Sequence, residues 1–334
     1  MRYLIALAVL FLPIAGWADD WEDRLIFNED AEGPRLRVIS STDTVLFAPV
    51  IEGFVAENPL ISVEYLVSGT ADINQRVRAT PEAFDVIISS AMDLQLKLAN
   101  DGFALPVDDV PVPNWAQWHH SLFAFTSEPA TIVINRAAFE GQPIPQTRQG
   151  LIEALRQRPE AFRGKVGTYD VRQSGLGYLF ATQDARASET YWRLMEVMGG
   201  LDVRLYCCSG EMINDLADGS ILVAYNVLGS YAAVRTEGKD ALEVVLPSDF
   251  QTIMMRTAMV SRATPEPNAA EMLLRYLVAQ GPTTEEPASP LPFLQPNDLA
   301  IGQETIGLDP ALLTFLDGLK RTKFLSAWED AVIQ

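Results

Sequence analysis

Short apolar strands, each followed by a polar elbow and then by a helix, recur along this sequence. LRVIS at 36–40 leads through STDT at 41–44 into a stretch with apolar residues every three or four positions, and FDVIISS at 84–90 leads into AMDLQLKLANDG at 91–102. This alternation predicts an α/β fold with mainly parallel sheets that are covered by helices on both faces.

A second set of these units runs from GKVGTYDV at 164–171 to SILVAYN at 220–226. Extended, β-rich segments flank this set at 119–139 and at 241–262. A chain needs two such crossings to leave one domain and return to it. We therefore predict two lobes joined by two extended hinge strands, with lobe one at 35–125 plus 250–334, lobe two at 126–249, and C-terminal helices around a Pro-rich loop at 282–293 that belong to lobe one.

The first eighteen residues, MRYLIALAVLFLPIAGWA, have the pattern of a secretory signal peptide. Arg2 precedes an apolar run from Leu4 to Leu12, and small residues lead to a predicted cleavage site after Ala18. No later segment offers an uninterrupted apolar run of about 20 residues, the length of a membrane span. We therefore expect a soluble, monomeric protein that is secreted into the periplasm.

The formal net charge of −19 disfavours a nucleic acid partner, because such a surface repels phosphates. The charge still permits a small anionic ligand in a locally positive pocket. The chain has two histidines, His119 and His120, and no G-x-S-x-G, H-E-x-x-H or Walker motif. We therefore expect a binding protein without catalytic residues, cofactor or metal. A secreted hydrolase stays open as an alternative, since catalytic triads are recognised by geometry and not by sequence order.

Cys207 and Cys208 are the only cysteines, and they are adjacent. In an oxidising compartment the two thiols could form a vicinal disulfide. Because disulfide geometry is specific, the sequence favours the simpler interpretation of two small residues at the end of a buried strand.

The polar elbows are the candidate ligand-binding segments. In open α/β sheets, ligands bind beyond the carboxyl ends of the strands, where helix N-termini present backbone N–H groups. Ser, Thr and Asp are also ordinary helix caps, so the prediction depends on the number of elbows across two lobes. The predicted ligand-binding residues are Ser41, Thr42, Asp43, Ser68, Gly69, Ser89, Ser90, Gln173, Ser174, Gly175, Ser209, Glu211, Asn226, Ser230 and Tyr231.

An ordered set of segments resembles a known family. The signal is followed by LRVISSTDTVLFAPVIEGF, FDVIISSAMDLQLKLANDG, RGKVGTYDVRQSGLGY and SGEMINDLADGSILVAYNVLGSYA. This order resembles the periplasmic solute-binding proteins of ABC transporters, of the type II fold and the iron-binding-like cluster, over nearly the whole mature chain. AYNVLGSYA and LLTFLDGLKRTKFLSAW look more like the branch of phosphoglycerate-transport regulatory and hexose-phosphate-binding proteins than like ferric-ion binders.

The resemblance implies two lobes that close around a ligand, which is then delivered to an ABC permease or presented to a membrane histidine kinase. Ferric-ion binders of this cluster hold the metal with adjacent tyrosines at the end of the strand that corresponds to 221–226. Here Tyr231 stands alone and Tyr225 lies six residues earlier. Ferric binding therefore remains an alternative only through oxygen ligands from Asp43, Glu211 and Tyr231.

The anion-holding part of the family pattern is present. In the ferric binders an anion lies on the helix start that corresponds to Ser174 and Gly175, next to an asparagine that corresponds to Asn226. Arg172 and Arg204 lie near strand ends in lobe two and could supply charge to an anion by bidentate contact. The resemblance therefore implies a small, anionic organic ligand, phosphorylated or carboxylated.

Overall fold

A computed structural model describes residues 21–238, 241–280, 291–294 and 305–333. The predicted signal peptide at 1–18 lies outside the described residues, as does most of the predicted Pro-rich loop. None of the helices within the described ranges is long and apolar enough to cross a membrane.

The first sheet has seven strands, and helices flank it. Its helices are α1 (Thr44–Glu57), α2 (Thr70–Ala79), α3 (Met92–Asn100) and α10 (Pro267–Ala279), with short 3-10 turns at Pro81–Ala83 and Asn114–Ala116. Its strands are β1 (Asp23–Phe27), β2 (Arg35–Ser40), β3 (Ser62–Val67), β4 (Val86–Ser89), β5 (Gln117–Trp118), β6 (Leu122–Ala124) and β13 (Thr257–Val260). The order across the sheet is β1-β3-β2-β4-β13-β6-β5.

The second sheet is built in the same way from the middle of the chain. Its strands are β7 (Glu128–Asn135), β8 (Val166–Tyr169), β9 (Arg204–Tyr206), β10 (Val223–Leu228) and β11 (Leu242–Val245), in the order β11-β7-β10-β8-β9, with β12 (Ile253–Met254) beside β7. Its helices are α4 (Arg148–Gln157), α5 (Pro159–Phe162), α6 (Gly175–Ala187), α7 (Thr190–Gly199), α8 (Ser209–Ala217) and α9 (Gly229–Thr236), and a 3-10 turn spans Arg136–Phe139.

Both sheets are mixed, which corrects the prediction of mainly parallel sheets. In the first sheet β2 pairs in parallel with β3 and β4, whereas β1, β13, β6 and β5 pair antiparallel. In the second sheet β8 pairs in parallel with β10 and β9, whereas β7 is antiparallel to its neighbours. The two strands that follow the crossings, β7 and β13, enter the interior of each sheet in the reverse direction. The predicted α/β class with two helix-flanked sheets is confirmed.

Within the described residues, two strand-to-strand connections link the sheets, from β6 to β7 through 125–127 and from β12 to β13 through 255–256. The backbone N–H of Phe125 donates to the Arg256 carbonyl at 3.0 Å. The backbone N–H of Arg256 donates to Thr126 Oγ1 at 3.1 Å. The two crossings therefore run side by side.

The C-terminal helix α11 (Gly318–Val332) departs from the predicted division of the chain. It packs on α7 of the second sheet, where Phe324 and Trp328 join a buried cluster with Tyr191 and Met195. The 3-10 helix before it, Pro310–Leu316, packs on α3 of the first sheet. The sequence shows the apolar face of α11, but it does not show which lobe this face covers. The last residues thus span both lobes, where the sequence predicts lobe one alone.

Within the described ranges, buried apolar side chains form three clusters. One lies between α1, α10 and the first sheet, and one lies between α4, α7, α11 and the second sheet. The third contains Ile87 and Leu96 from the first lobe together with Leu179 and Met212 from the second. Apolar packing is therefore continuous from one lobe to the other, as expected for a closed arrangement.

Candidate ligand-binding site

Six helices begin where the two sheets face each other, and their elbows or first turns line one small cavity. These helices are α1, α2 and α3 from the first lobe and α6, α8 and α9 from the second. We call the space the elbow cavity; its volume is about 40 Å³. It holds a few water molecules at most, so a larger ligand needs the lobes to separate. The predicted residues that line it are Ser41, Asp43, Ser68, Gly69, Ser90, Ser174, Ser209 and Tyr231.

Direct contacts between the lobes close this cavity. The Tyr231 hydroxyl donates to Asp43 Oδ1 at 2.8 Å, and the Asp43 backbone N–H donates to the same hydroxyl at 3.0 Å. Arg235 Nη2 lies 3.5 Å from Asp43 Oδ2. On another wall, the Leu176 backbone N–H donates to Thr70 Oγ1 at 3.1 Å. Asp43 precedes α1 without making a capping hydrogen bond, so its carboxylate is used to join the lobes.

Hydroxyl groups dominate the polar part of the lining. Ser41 Oγ lies 3.3 Å from Ser90 Oγ and accepts the Ser90 backbone N–H at 3.1 Å. Across the cavity, Tyr169 and Ser209 share a hydroxyl contact of 2.5 Å. Ser174 Oγ accepts the Gly177 backbone N–H and so also caps α6. Each hydroxyl can donate as well as accept, which suits a ligand with hydroxyl or oxyanion groups.

The sequence did not predict several of the residues that line the elbow cavity. Glu22 enters from the segment before β1, and Tyr169, Leu176 and Leu228 come from strand ends or first turns. The pKa of Glu22 is raised mainly by burial, and then by repulsion from Asp43 and other carboxylates. The Gly69 backbone N–H donates to Glu22 and opposes this rise. The sequence offered no signal for Glu22, because it lies before the first recognised unit.

The two cysteines also line the elbow cavity, and they are bonded to each other. This corrects the interpretation of Cys207 and Cys208 as unpaired residues at a buried strand end. Cys207 is exposed, and its Sγ lies 3.5 Å from Glu211 Oε2. Whether two adjacent thiols join depends on the local backbone after β9, which the sequence does not determine.

Thr42 and Ser230 lie behind the cavity wall and not in it, contrary to prediction. Thr42 is fully buried, and its hydroxyl accepts from Arg256 Nη1. The Ser230 hydroxyl donates to Glu128 Oε2. Arg256 of one crossing and Glu128 at the start of β7 are themselves fully buried, 2.9 Å apart. Both elbows are thus anchored to the hinge.

Asn226 and Ser89 are also turned away from the elbow cavity. Asn226 lies at a bulge of β10 with φ of 66°, and its Nδ2 donates to Asp184 Oδ2 at 2.9 Å. Ser89 Oγ accepts the Ala91 backbone N–H at 3.1 Å, before the start of α3. The helical and strand spacing in the sequence does not reveal these side-chain directions.

Three further predicted residues lie in openings next to the elbow cavity. Glu211 lies in an opening that also includes Cys207, Cys208 and Arg235. Gln173 and Gly175 lie in a separate crevice that shares Ser174 with the elbow cavity; Arg172 lies there as well. Arg204 instead pairs with Asp215 at 3.8 Å and lines none of these spaces. No group of three or more His, Cys, Asp or Glu within the described ranges could hold a metal ion.

Comparison with known proteins relates this arrangement to a family. No protein-family model matches the sequence, and no curated protein matches it. Among solved structures, the substrate-binding protein of an ABC transporter from Agrobacterium tumefaciens is similar, with 30% identity, a TM-score of 0.86, and coverage of 93% of this chain and 98% of that chain.

Two other solved structures share the fold at lower identity. The periplasmic binding protein P5PA has 16% identity and a TM-score of 0.69, with coverage of 90% of this chain and 100% of that chain. AfuA from Actinobacillus pleuropneumoniae, with exogenous fructose-6-phosphate bound, has 15% identity and a TM-score of 0.72, with coverage of 90% and 98%. The chain therefore belongs to the substrate-binding proteins of ABC transporters and has the fold of the periplasmic binding proteins.

Proposed function

We propose that this protein captures a small, hydroxylated organic ligand with an anionic group in the elbow cavity and delivers it to an ABC permease. One observation carries the proposal: six helix starts from both lobes meet around one cavity lined by hydroxyl groups. Each helix start is a positive dipole end with backbone N–H groups, and both features favour an anion.

The charged residues in and beside the cavity orient the ligand. Glu22 and Asp43 line the side that opens toward Glu211, where carboxylates accept hydroxyl groups and repel an anion. Ser174 lies on the side that opens toward Arg172. The hydroxylated end of the ligand therefore faces Asp43, and the anionic end faces Ser174. AfuA carries a ligand of this class, a sugar phosphate.

Ligand binding acts through closure of the lobes. A ligand that contacts Ser90 on one lobe and Ser174 on the other binds the closed form more tightly than the open form. The contacts of Asp43 with Tyr231 and Arg235 add to the closed form. The permease can then distinguish the ligand-bound protein by its closed conformation.

We also propose a location and a division into lobes for the whole chain. Residues 1–18 direct secretion and are removed, and the mature protein works as a periplasmic monomer. Lobe one consists of the first sheet with its helices, and lobe two consists of the second sheet with α11. Delivery to a permease predicts that deletion of the gene abolishes ligand uptake. Intact uptake with a lost response of a histidine kinase would instead identify a sensor partner.

Calorimetric titration tests the ligand class with fructose 6-phosphate, fructose, 3-phosphoglycerate, citrate and ferric citrate. We expect binding of a compound that has both hydroxyl and anionic groups, and affinity weaker by roughly 10- to 100-fold in Ser174→Ala, since a hydrogen bond to a charged group is lost. Thr147→Ala is the matched control, because Thr147 caps α4 by the same kind of bond and does not line the elbow cavity. Binding of ferric citrate alone would contradict the ligand class, and equal effects of both variants would contradict the site.

A further inference from the structure

A second cavity lies between the lobes, on the far side of Ser174 from Asp43. Its volume is about 360 Å³. The first lobe contributes Arg78 from α2 and Lys97 from α3. The second lobe contributes Arg172, before α6, and Arg321 from α11. We call this space the basic crevice.

The lining of the basic crevice is selectively cationic. It contains these four basic side chains and no carboxylate. The whole chain, by contrast, has 44 acidic and 25 basic residues. A basic lining is therefore contrary to the composition of the protein, and a locally positive concave surface concentrates anions.

The positive charge of the crevice is only partly neutralised by nearby carboxylates. Arg78 and Lys97 share one carboxylate, that of Asp101, at 2.8 and 2.5 Å. Two cations with one anion leave an excess of one positive charge. Arg172 is paired in bidentate fashion with Asp170, at 2.8 and 2.7 Å, and its Nη1 lies 3.6 Å from Glu329 Oε1, so its charge is neutralised.

Within the described part of the chain, Arg321 is the cation of the crevice that has no close carboxylate of its own. Its guanidinium lies 4.5 Å from the Tyr178 ring centre, and among the described residues it has no carboxylate within ion-pair distance. The nearby Asp93 carboxyl is buried, and burial raises its pKa to about 7, so it offsets Arg321 only in part at neutral pH. Asn74, Gln75, Gln173 and Ser174 add neutral polar groups to the lining.

We propose that the basic crevice binds a multivalent oxyanion, such as phosphate or a phosphate ester, and that the bound anion stabilises the closed form. Because cations of both lobes line the crevice, an anion between them interacts more strongly when the lobes are together. The anion is either the charged end of the transported ligand, which reaches past Ser174, or a free ion. Free-ion binding is independent of the ligand proposed for the elbow cavity.

The direct test is titration of the purified full protein with inorganic pyrophosphate at constant ionic strength. We expect binding that weakens by about tenfold in Arg321→Gln, because a charge-assisted contact is lost. Lys323→Gln removes the same charge from an exposed position two residues away on α11 and should leave the affinity unchanged. Equal affinity of the Arg321→Gln variant and the wild type, or no binding at all, would overturn the proposal.

Two further measurements address closure and the source of the anion. Small-angle scattering should show a smaller radius of gyration with pyrophosphate, and an unchanged or larger radius would refute the closure step. Competition between pyrophosphate and a bound sugar phosphate identifies the charged end of the ligand as the natural occupant, whereas independent binding identifies a free ion. Pyrophosphate binding without sugar phosphate binding would support an anion site in the basic crevice and would overturn only the function proposed for the elbow cavity.

Discussion

The Tyr231 hydroxyl of lobe two donates to the Asp43 carboxylate of lobe one at 2.8 Å, and it accepts the Asp43 backbone N–H at 3.0 Å. One side chain thus makes two hydrogen bonds across the cleft at the start of α1. Burial, reinforced by Asp43, raises the pKa of Tyr231 well above its usual value, so the phenol remains a donor. This pair is positioned to hold the lobes together.

Tyr231→Phe should therefore favour the open form. The loss of the two hydrogen bonds is worth roughly 1 to 2 kcal/mol, which corresponds to ligand affinity weaker by about 5- to 30-fold. Calorimetry with the identified ligand measures this change, and scattering measures the larger radius of gyration. Tyr206→Phe is the control, because Tyr206 makes a similar 2.7 Å bond to Asp215 within lobe two. Equal losses of affinity in the two variants would rule out a role in closure.

The buried pair of Arg256 and Glu128 should be important for stability. Both side chains are fully buried and also hold Thr42 and Ser230. Glu128→Gln leaves the Arg256 charge without its partner, and we expect the free energy of unfolding to fall by about 3 to 5 kcal/mol. Urea denaturation measures the change.

The partly exposed pair of Arg136 and Glu243, at a similar distance of 2.9 Å, provides the control for this prediction. Glu243→Gln should cost less than about 1 kcal/mol, because water screens the charges. A comparable cost for both variants would mean that the hinge pair has no special structural role.

The sequence predicts which segments reach the site, because the direction of the backbone determines where each strand ends. Strand and helix alternation places each elbow at the same edge of its sheet, and Ser41, Ser90, Ser174 and Ser209 accordingly line one cavity. Side-chain direction at an elbow follows from local dihedral angles and from distant partners. Asn226 turns away at its positive φ.

Long-range packing accounts for the other differences from the predicted fold and site. Arg256 lies 214 residues from Thr42, so no local pattern could link the two side chains. Glu22 reaches the cavity because β1 adds to the edge of the first sheet, beside β3. The apolar face of α11 is visible in the sequence. Its contact with α7 depends on tertiary packing, because either lobe could bury this face.

Trp328 tests the placement of α11 on lobe two. Its side chain is fully buried, and it lies over a cluster that includes Tyr191 and Met195. Trp328→Ala should reduce the free energy of unfolding by about 3 to 5 kcal/mol, because a large cavity forms. Leu319→Ala on the same helix alters a side chain that is 65% exposed and should change stability by less than about 0.5 kcal/mol. Chemical denaturation distinguishes the two, and a small effect of Trp328→Ala would place α11 elsewhere.

The bond between Cys207 and Cys208 predicts the thiol content of the folded protein. These are the only cysteines, so the unreduced protein should take up no iodoacetamide even after denaturation. After reduction it should take up two equivalents, measured by mass spectrometry. Because both residues line the elbow cavity, we also expect reduction to change ligand affinity. Two reactive thiols in protein purified from the periplasm without reductant would contradict the disulfide.

The buried Asp93 predicts a pH dependence of stability. Burial raises its pKa from 3.8 to about 7, so the folded state binds the proton more tightly than the unfolded state. The resulting stabilisation is complete below the unfolded pKa and is lost as the pH rises through about 7.

Asp93→Asn should therefore raise the free energy of unfolding at pH 8.5 by roughly 2 kcal/mol and should have little effect below pH 4. Asn has nearly the same shape as protonated Asp and carries no charge at either pH. Asp330→Asn, at an exposed position on α11, is the control and should have little effect at either pH. Urea denaturation at the two pH values measures the difference. A gain for Asp93→Asn that is the same at both pH values would show that ionisation of Asp93 is not its cause.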